Sequence, residues 1–295
     1  MDNRRTFSNK SAIQLQSDRL KTNGFEPSWG NRTYIMGIIN ATPDSFSGDG
    51  LYSDQESALS RSILLQSHGA DIIDVGGEST RPGATYVEAE EEIRRTVPII
   101  ELLSANLSVP ISIDTYKPEV AKEAIKAGAS IINDVWGLRY DTEMANLAAQ
   151  HDIPLILMHN QHGTHYSEMI MEVKERLKES ADLAIRSGVD PKNIILDPGV
   201  GFGKTARQNL AIIRHLGQIK DIGYPILIGT SRKSMIGAVL NIPEDRLAGT
   251  AATVALAIAN GVDMVRVHDV KEMKRVAQIS DSIARSQERH ISTTP

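Results

Sequence analysis

Eight short apolar segments of this chain each end in polar or charged side chains that are able to take part in chemistry. These ends supply carboxylates, amides, imidazoles and cations: Asn40, Asp74 with Glu78, Asp114, Asn133 with Asp134, His159, Asp197, Ser231 with Arg232 and Lys233, and Arg266 with His268. A carboxylate accepts paired N–H bonds from a nitrogen heterocycle, and an amide both donates and accepts. Guanidinium and ammonium groups bind anions. The set therefore indicates a ligand with one heterocyclic end and one anionic end.

Each apolar segment is predicted to be a buried strand, because it is too short for a helix and rich in Ile and Val. The predicted strands are 34–40, 71–76, 110–115, 130–134, 153–159, 193–197, 225–230 and 263–268. Helical patterns follow them at 54–68, 87–104, 117–127, 141–151, 166–187, 206–217, 245–260 and 270–285, with a further short helix at 233–241.

Strand–helix alternation repeated eight times is typical of one α/β fold, the (β/α)8 TIM barrel. A doubly wound sheet is the competing architecture, but it usually has fewer strands in one domain. The active site of a barrel lies at the C-terminal ends of its strands, where the polar residues stand. The chain is 295 residues long. We predict a single-domain barrel over 31–285, preceded by a short polar N-terminal extension at 1–30 and followed by a disordered tail at 286–295.

The composition excludes several classes of protein. The chain has no cysteine, so disulfides, thiolate zinc sites and thiol nucleophiles are excluded. No apolar run approaches the roughly 18 residues that a membrane span needs, and the first twenty residues contain no secretory signal. We therefore expect a cytoplasmic protein that contacts no membrane. The net charge of −5 argues against a general nucleic-acid-binding role.

Two short patterns imitate other functional motifs. Gly203-Lys204-Thr205 resembles the end of a nucleotide-binding P-loop, but Pro198 stands where that motif requires glycine. His159, His162 and His165 are spaced three apart after the fifth predicted strand. We interpret them as part of a polar loop, because a zinc site would need a further ligand.

Seven motifs, in order through residues 34–285, resemble those of the dihydropteroate synthase family. They are GIINATPDSFS at 37–47, DVGGESTRPG at 74–83, SIDTYK at 112–117, NDVWG at 133–137, LDPGVGFGK at 196–204, TSRKS at 230–234 and RVHD at 266–269. The resemblance implies a TIM-barrel transferase of folate biosynthesis. Such an enzyme joins 7,8-dihydropterin-6-ylmethyl diphosphate to 4-aminobenzoate and releases diphosphate, with Mg²⁺ as cofactor. It also implies a homodimer, with an interface formed by the late helices around 245–285, and inhibition by sulfonamides, which mimic the aminobenzoate.

The resemblance also assigns site residues. The pterin would be bound by Asp114, Asn133, Met158, Asp197 and Lys233. The aminobenzoate would be bound by Thr80, Arg81, Pro82, Phe202 and Ser234. The diphosphate would be bound by Asn40, Arg81, Arg266 and His268, with Asn40 also a ligand of Mg²⁺. The catalytic residues would be Asp114, Lys233, Arg266 and His268, and the loops 41–53 and 78–87 would close over the substrates.

The implied mechanism is dissociative. The leaving diphosphate is stabilised by cations, and Asp114 offsets the positive charge that develops on the pterin. The amine of aminobenzoate is already nucleophilic, so no strong general base is required. Two alternatives remain open at this point: a related pterin-dependent methyltransferase barrel, and a catalytically silent homologue that binds pterin.

Overall fold

The computed structural model describes residues 27–41, 51–79, 85–241 and 246–285, without the side chains of residues 51–54. The predicted tail at 286–295 and most of the predicted extension at 1–30 lie outside these residues. The division into extension, barrel and tail therefore stays a prediction.

Eight parallel strands form the predicted barrel. They are β1 (Tyr34–Asn40), β2 (Ile72–Gly76), β3 (Ile111–Asp114), β4 (Ile131–Asp134), β5 (Leu155–Met158), β6 (Ile194–Asp197), β7 (Leu227–Ile228) and β8 (Met264–Val267). Their order in the sheet is β6-β5-β4-β3-β2-β1-β8-β7. A bridge between Leu196 and Ile226 joins the two outermost strands and closes the ring. The TIM-barrel fold is thus confirmed.

Helices connect the strands on the outside of the barrel. They are α1 (Leu51–Ser67), α2 (Ala89–Asn106), α3 (Pro118–Lys126), α4 (Glu143–His151), α5 (Met169–Arg186), α6 (Ala206–Arg214), α7 (Leu216–Lys220), α8 (Ser234–Leu240), α9 (Leu247–Ala259) and α10 (Val270–Ala284). The helix predicted at 206–217 is instead two helices, because His215 leaves helical geometry at φ −107° and ψ 18°. This break directs Leu216 and Ile219 into the core. No helix among the described residues is long and apolar enough to cross a lipid bilayer.

The interior of the barrel has an apolar base and a polar upper layer. At the N-terminal ends of the strands, inward-facing side chains form one buried cluster: Trp29, Tyr34, Met36, Ile72, Ile131, Ile156, Ile195, Leu227 and Met264. Side chains alternate between the faces of a strand, so the residue two positions later points inward again. At four of these positions it is polar: Asp74, Asn133, Asp197 and Arg266. The two-residue period therefore places apolar packing below and functional groups at the mouth.

Candidate functional site

One arginine joins two carboxylates at the centre of the mouth. Arg266, on β8, donates from Nε to Asp74 Oδ2 and from Nη2 to Asp114 Oδ2, both at 2.6 Å. Asn133 Nδ2 donates to the same Oδ2 of Asp74 at 3.2 Å. The strand register explains the arrangement, since Asp114 lies opposite Gly76 on one side and Asn133 on the other. Four strands thus contribute to one charged cluster.

The two aspartates of this cluster each keep one oxygen for another partner. Oδ1 of Asp74 and Oδ1 of Asp114 are buried, and neither accepts a hydrogen bond from a described residue. Buried polar atoms are normally hydrogen-bonded, so the arrangement suits a ligand that carries N–H donors. Burial raises the pKa of Asp114 to about 7, with Arg266 opposing the rise and Asp74 adding to it.

Asp197 and Lys233 lie beside this cluster. Asp197 ends β6, and its Oδ1 accepts a hydrogen bond from Gly199 N at 2.7 Å, which closes a turn at this position. Burial raises the pKa of Asp197 to about 6, while this hydrogen bond and the charge of Lys233 oppose the rise. Lys233 Nζ lies 4.2 Å from the centre of the Phe202 ring, within range of a cation–π interaction. A carboxylate, an ammonium and an aromatic face therefore meet at one side of the mouth.

An apolar wall adjoins the charged groups. Met158 is buried in a small cluster with Tyr116 and Val135, and the partly buried rings of Trp136 and Phe202 pack against it. The wall can hold the face of a flat ring while the carboxylates bind the polar edge of that ring. The structure thus brings Met158 and Phe202 together, although the resemblance assigned them to different parts of the ligand.

His268 and Arg232 have different surroundings at the β7 and β8 ends. The Nδ1 atom of His268 is 3.0 Å from the hydroxyl oxygen of Ser231, which also accepts a hydrogen bond from His268 N. This contact orients the imidazole. Arg232 instead adopts a left-handed backbone at φ +57° and pairs with Asp269, with 53% of its side chain exposed. The sequence predicts that Arg232 binds the anionic end of the ligand together with the other cations. In the structure its guanidinium is instead directed toward the carboxylate of Asp269.

The remaining predicted site residues lie at the rim or outside the described residues. Asn40 is half-buried at the end of β1, in register with Gly76. Ser234 is exposed at the start of α8. Thr80, Arg81 and Pro82 lie outside the described residues, as do residues 42–50 of the first predicted loop, so their assigned roles stay predictions.

The resemblance assigns no binding or catalytic role to three residues near the site. Asp74 shares Arg266 with Asp114 and is fully buried. Its position at a strand end was visible in the sequence, but its partner lies 192 residues away along the chain. Lys204 and His159 contact each other at 2.9 Å beneath the turn after β6. In the sequence, Lys204 stands out only as part of an imperfect P-loop pattern, and no spacing rule connects it to His159.

The Gly199→Ala variant is expected to lose about 3 kcal/mol of stability. Gly199 has φ +70°, and an added Cβ would overlap the backbone carbonyl oxygen of His159. Gly163→Ala is the matched control, because its φ is +74° and an added Cβ would meet nothing within 4 Å. The control should lose only about 1 kcal/mol. Urea denaturation measures both variants, and equal losses would show that the close approach at Gly199 carries no energy.

Comparison with known proteins agrees with this geometry. The model of the pterin binding enzyme family matches residues 36–268. A dihydropteroate synthase from Bacillus subtilis is 51% identical over 257 residues, which cover 87% of this chain and 90% of that protein.

Solved structures give the same result. A dihydropteroate synthase from Clostridium difficile, determined in the presence of pteroic acid, has a TM-score of 0.86 and 51% identity, covering 88% of this chain and all of its own. The Yersinia pestis dihydropteroate synthase, determined with a sulfonamide drug complex, has a TM-score of 0.84 and 35% identity, covering 91% of this chain and all of its own. The family model and these two structures therefore extend over the strands that build the mouth of the barrel.

Proposed function

The chain belongs to the pterin-binding enzymes and, among them, to the dihydropteroate synthases, and on this premise we propose how its residues perform the reaction. The activity is a transferase reaction in folate biosynthesis. The methylene carbon of 7,8-dihydropterin-6-ylmethyl diphosphate is joined to the nitrogen of 4-aminobenzoate, and diphosphate leaves. Relatives that share about half of their residues with this chain are dihydropteroate synthases. They do not support the two alternatives, a pterin-dependent methyltransferase and a catalytically silent homologue.

The observation that carries the mechanism is the pair of buried carboxylate oxygens beside Arg266. We assign the pterin ring to this place, with Asp114, Asn133 and Asp197 at its polar edge and Met158 along its face. As the carbon–oxygen bond of the substrate breaks, positive charge develops on the pterin. The ionised Asp114 stabilises this charge in a site that excludes water, an effect that can supply about 3 kcal/mol.

The leaving group is assigned to Asn40 at the end of β1 and to Arg266 and His268 at the end of β8. His268, oriented by Ser231, and Arg266 would bind diphosphate oxygens, together with Arg81. Arg266 donates to two carboxylates as well, so it would connect the leaving group electrostatically to Asp114. Lys233 would stabilise the transition state from the side of Phe202.

Magnesium is the proposed cofactor. Asn40 offers a neutral amide oxygen at the mouth, and Mg²⁺ commonly combines one or two protein oxygens with phosphate oxygens and water. The donor at the β1 end therefore fits the ion in the company of diphosphate. Bound Mg²⁺ would neutralise charge on the leaving diphosphate.

The 4-aminobenzoate is assigned to the outer part of the site. Phe202 would contact its ring, and Lys233 would contact both the pterin and the aminobenzoate. Ser234 and Thr80, Arg81 and Pro82 would complete the subsite. After the carbon–nitrogen bond forms, the amine of the product loses one proton. We propose that sulfonamides occupy this same subsite.

The decisive experiment is an assay of the purified protein with both substrates and Mg²⁺. Dihydropteroate and diphosphate should appear in equal amounts, and a chelator should suppress both. A protein that binds pteroic acid but yields no dihydropteroate, where a control enzyme is active, would contradict the function.

Activity should decline as the pH falls below about 7, because the proposed role of Asp114 requires its ionised form. Burial raises the pKa of this carboxyl to about 7, so protonation begins near neutrality instead of near pH 4. The logarithm of kcat/KM for the pterin diphosphate should therefore show an acidic limb close to pH 7. Measuring the profile from pH 5 to pH 9 tests the assignment, and a flat profile down to pH 5 would oppose it.

We further propose that the protein is a homodimer formed through α9 and α10. These two helices lie against each other, and their outer faces expose Leu256 (58%), Ile279 (66%) and Ile283 (78%). Large exposed apolar side chains on neighbouring helices are typical of an interface. Light scattering coupled to size-exclusion chromatography should give twice the chain mass, and Ile279→Glu should reduce it to one chain. A monomeric parent protein at micromolar concentration would refute the proposal.

A further inference from the structure

The ammonium of Lys204 is almost enclosed by the turn that follows β6. Its Nζ donates to the carbonyl oxygens of Gly199 and Phe202, both at 3.0 Å, and lies 2.9 Å from His159 Nδ1. Only 8% of the residue is exposed. The carbonyl oxygens of Gly199 and Phe202 thus both accept from one nitrogen, and both belong to the turn formed by residues 198–202.

Burying the amino group of Lys204 lowers the stability of the folded state. Burial lowers the pKa of Lys204 to about 7 and that of His159 to about 3, and the charge of Lys204 adds to the second shift. A neutral turn packed on apolar side chains would avoid the desolvation of an ammonium. The turn also packs into the barrel core through the buried Val200, whereas the lysine binds the carbonyl oxygens of Gly199 and Phe202. The position of the turn itself is therefore what the lysine contributes.

The turn carries the aromatic ring beneath Lys233. Phe202, whose carbonyl Lys204 holds, places its ring 4.2 Å from Lys233 Nζ. Gly201, in the same turn, has φ +88°, and an added Cβ would lie 3.1 Å from that Nζ. Lys233 therefore lies along the turn itself, and a displacement of the turn would displace both Phe202 and Lys233.

We propose that Lys204 is a positioning residue. It holds the turn after β6 in the shape that puts Phe202 against Lys233, and so forms the side of the active site that binds 4-aminobenzoate. The role in binding 4-aminobenzoate rests on the proposed function, whereas the role in holding the turn does not. Lys204 reaches the turn from beneath through the carbonyl oxygens of Gly199 and Phe202, so it acts through Phe202 and Lys233 and touches neither substrate.

A test that needs no turnover uses nuclear magnetic resonance. The ε-methylene protons of Lys233 lie near the face of the Phe202 ring and should be shifted upfield by its ring current, with the signal assigned by its loss in Lys233→Arg. Lys204→Met should move this signal to the position of an exposed lysine. Lys220→Met is the matched control, because Lys220 also donates to a backbone carbonyl, that of Tyr224, and pairs with Asp263 at the opposite end of the barrel. The control should keep the shifted signal, and an unchanged signal in folded Lys204→Met would overturn the proposal.

The kinetic test separates positioning from general loss of structure. Lys204→Met should raise the KM for 4-aminobenzoate about tenfold. The KM for the pterin diphosphate should change less, because the pterin keeps Asp114, Asn133 and Asp197 when Lys233 moves. A structural defect alone would lower kcat in proportion to the unfolded fraction and leave both KM values unchanged. That outcome would overturn the role of Lys204 in forming the 4-aminobenzoate subsite. A parent protein without turnover would instead refute the proposed function, and the resonance test would still decide the role of the turn.

Chemical rescue tests whether the ammonium itself is responsible. The chain contains no cysteine, so Lys204→Cys introduces a single thiol. Alkylation of the denatured variant with 2-bromoethylamine restores an ammonium at nearly the length of lysine, and the parent protein taken through the same refolding is the control. Rescue of both the shifted signal and the KM supports the proposal. Refolding without either rescue contradicts it, and alkylation with iodoacetamide should rescue neither.

Discussion

The Asp114→Asn enzyme is expected to turn over roughly 100-fold more slowly than the parent, with much less change in the affinity for diphosphate. The amide keeps the shape of the carboxyl group but removes its negative charge. In the proposed mechanism that charge lies opposite the position where the pterin becomes positive, so its loss should raise the free energy of the transition state more than that of the ground state. Single-turnover kinetics measure the chemical step, and titration with diphosphate measures binding.

Asp134→Asn is the matched control for this substitution. Asp134 ends the adjacent strand and is as deeply buried, with its pKa raised by burial to about 6. Its two oxygens accept hydrogen bonds from Trp136 N and Leu138 N, so it shapes a turn and does not face the mouth. Its variant should be less stable but should retain most of its kcat per folded molecule. Weak diphosphate binding with normal turnover in Asp114→Asn would contradict the role assigned to Asp114.

The Arg266→Met enzyme is expected to lose both activity and about 3–5 kcal/mol of stability near neutral pH. Asp74 and Asp114 would remain buried without the cation that each contacts at 2.6 Å. Because Arg266 opposes the rise of the Asp114 pKa, its removal would raise that pKa further and protonate the group at neutral pH. Activity at pH 7 should therefore fall at least as far as in Asp114→Asn.

The stability of Arg266→Met should also depend on pH in a defined direction. A carboxyl whose pKa is higher in the folded than in the unfolded state binds more protons when folded. Stability then falls as the pH rises from about 4 through the folded pKa. Urea denaturation should find the variant closer to the parent at pH 5 than at pH 8. Arg32→Met, which breaks a half-exposed pair with Asp71, should lose only about 1 kcal/mol and serves as the control. A deficit that is equal at both pH values would contradict the burial of unpaired carboxylates.

Much of the architecture follows from local patterns. Short runs of Ile and Val predict strands, because a strand of a parallel sheet is buried on both faces and such a run is too short for a helix. Eight such strands with intervening helices are typical of a barrel. The turn at Pro198-Gly199 was also predictable, since its chemistry lies within a few residues. The break at His215 was not, because it depends on where Leu216 and Ile219 find the core.

Residue types and short-range patterns are enough to predict the barrel, the polar ends of its strands and, through motifs that resemble a known family, the class of reaction. These properties depend on residue type and on spacing of two to a few tens of residues. Which polar groups share a partner depends on the folded chain. Arg266 meets Asp74 and Asp114 across 192 and 152 residues of chain, and Lys204 meets His159 across 45. Closure of the barrel creates these contacts, which give the mouth its geometry. Closure also buries the groups, and burial together with neighbouring charge sets the pKa of Asp114.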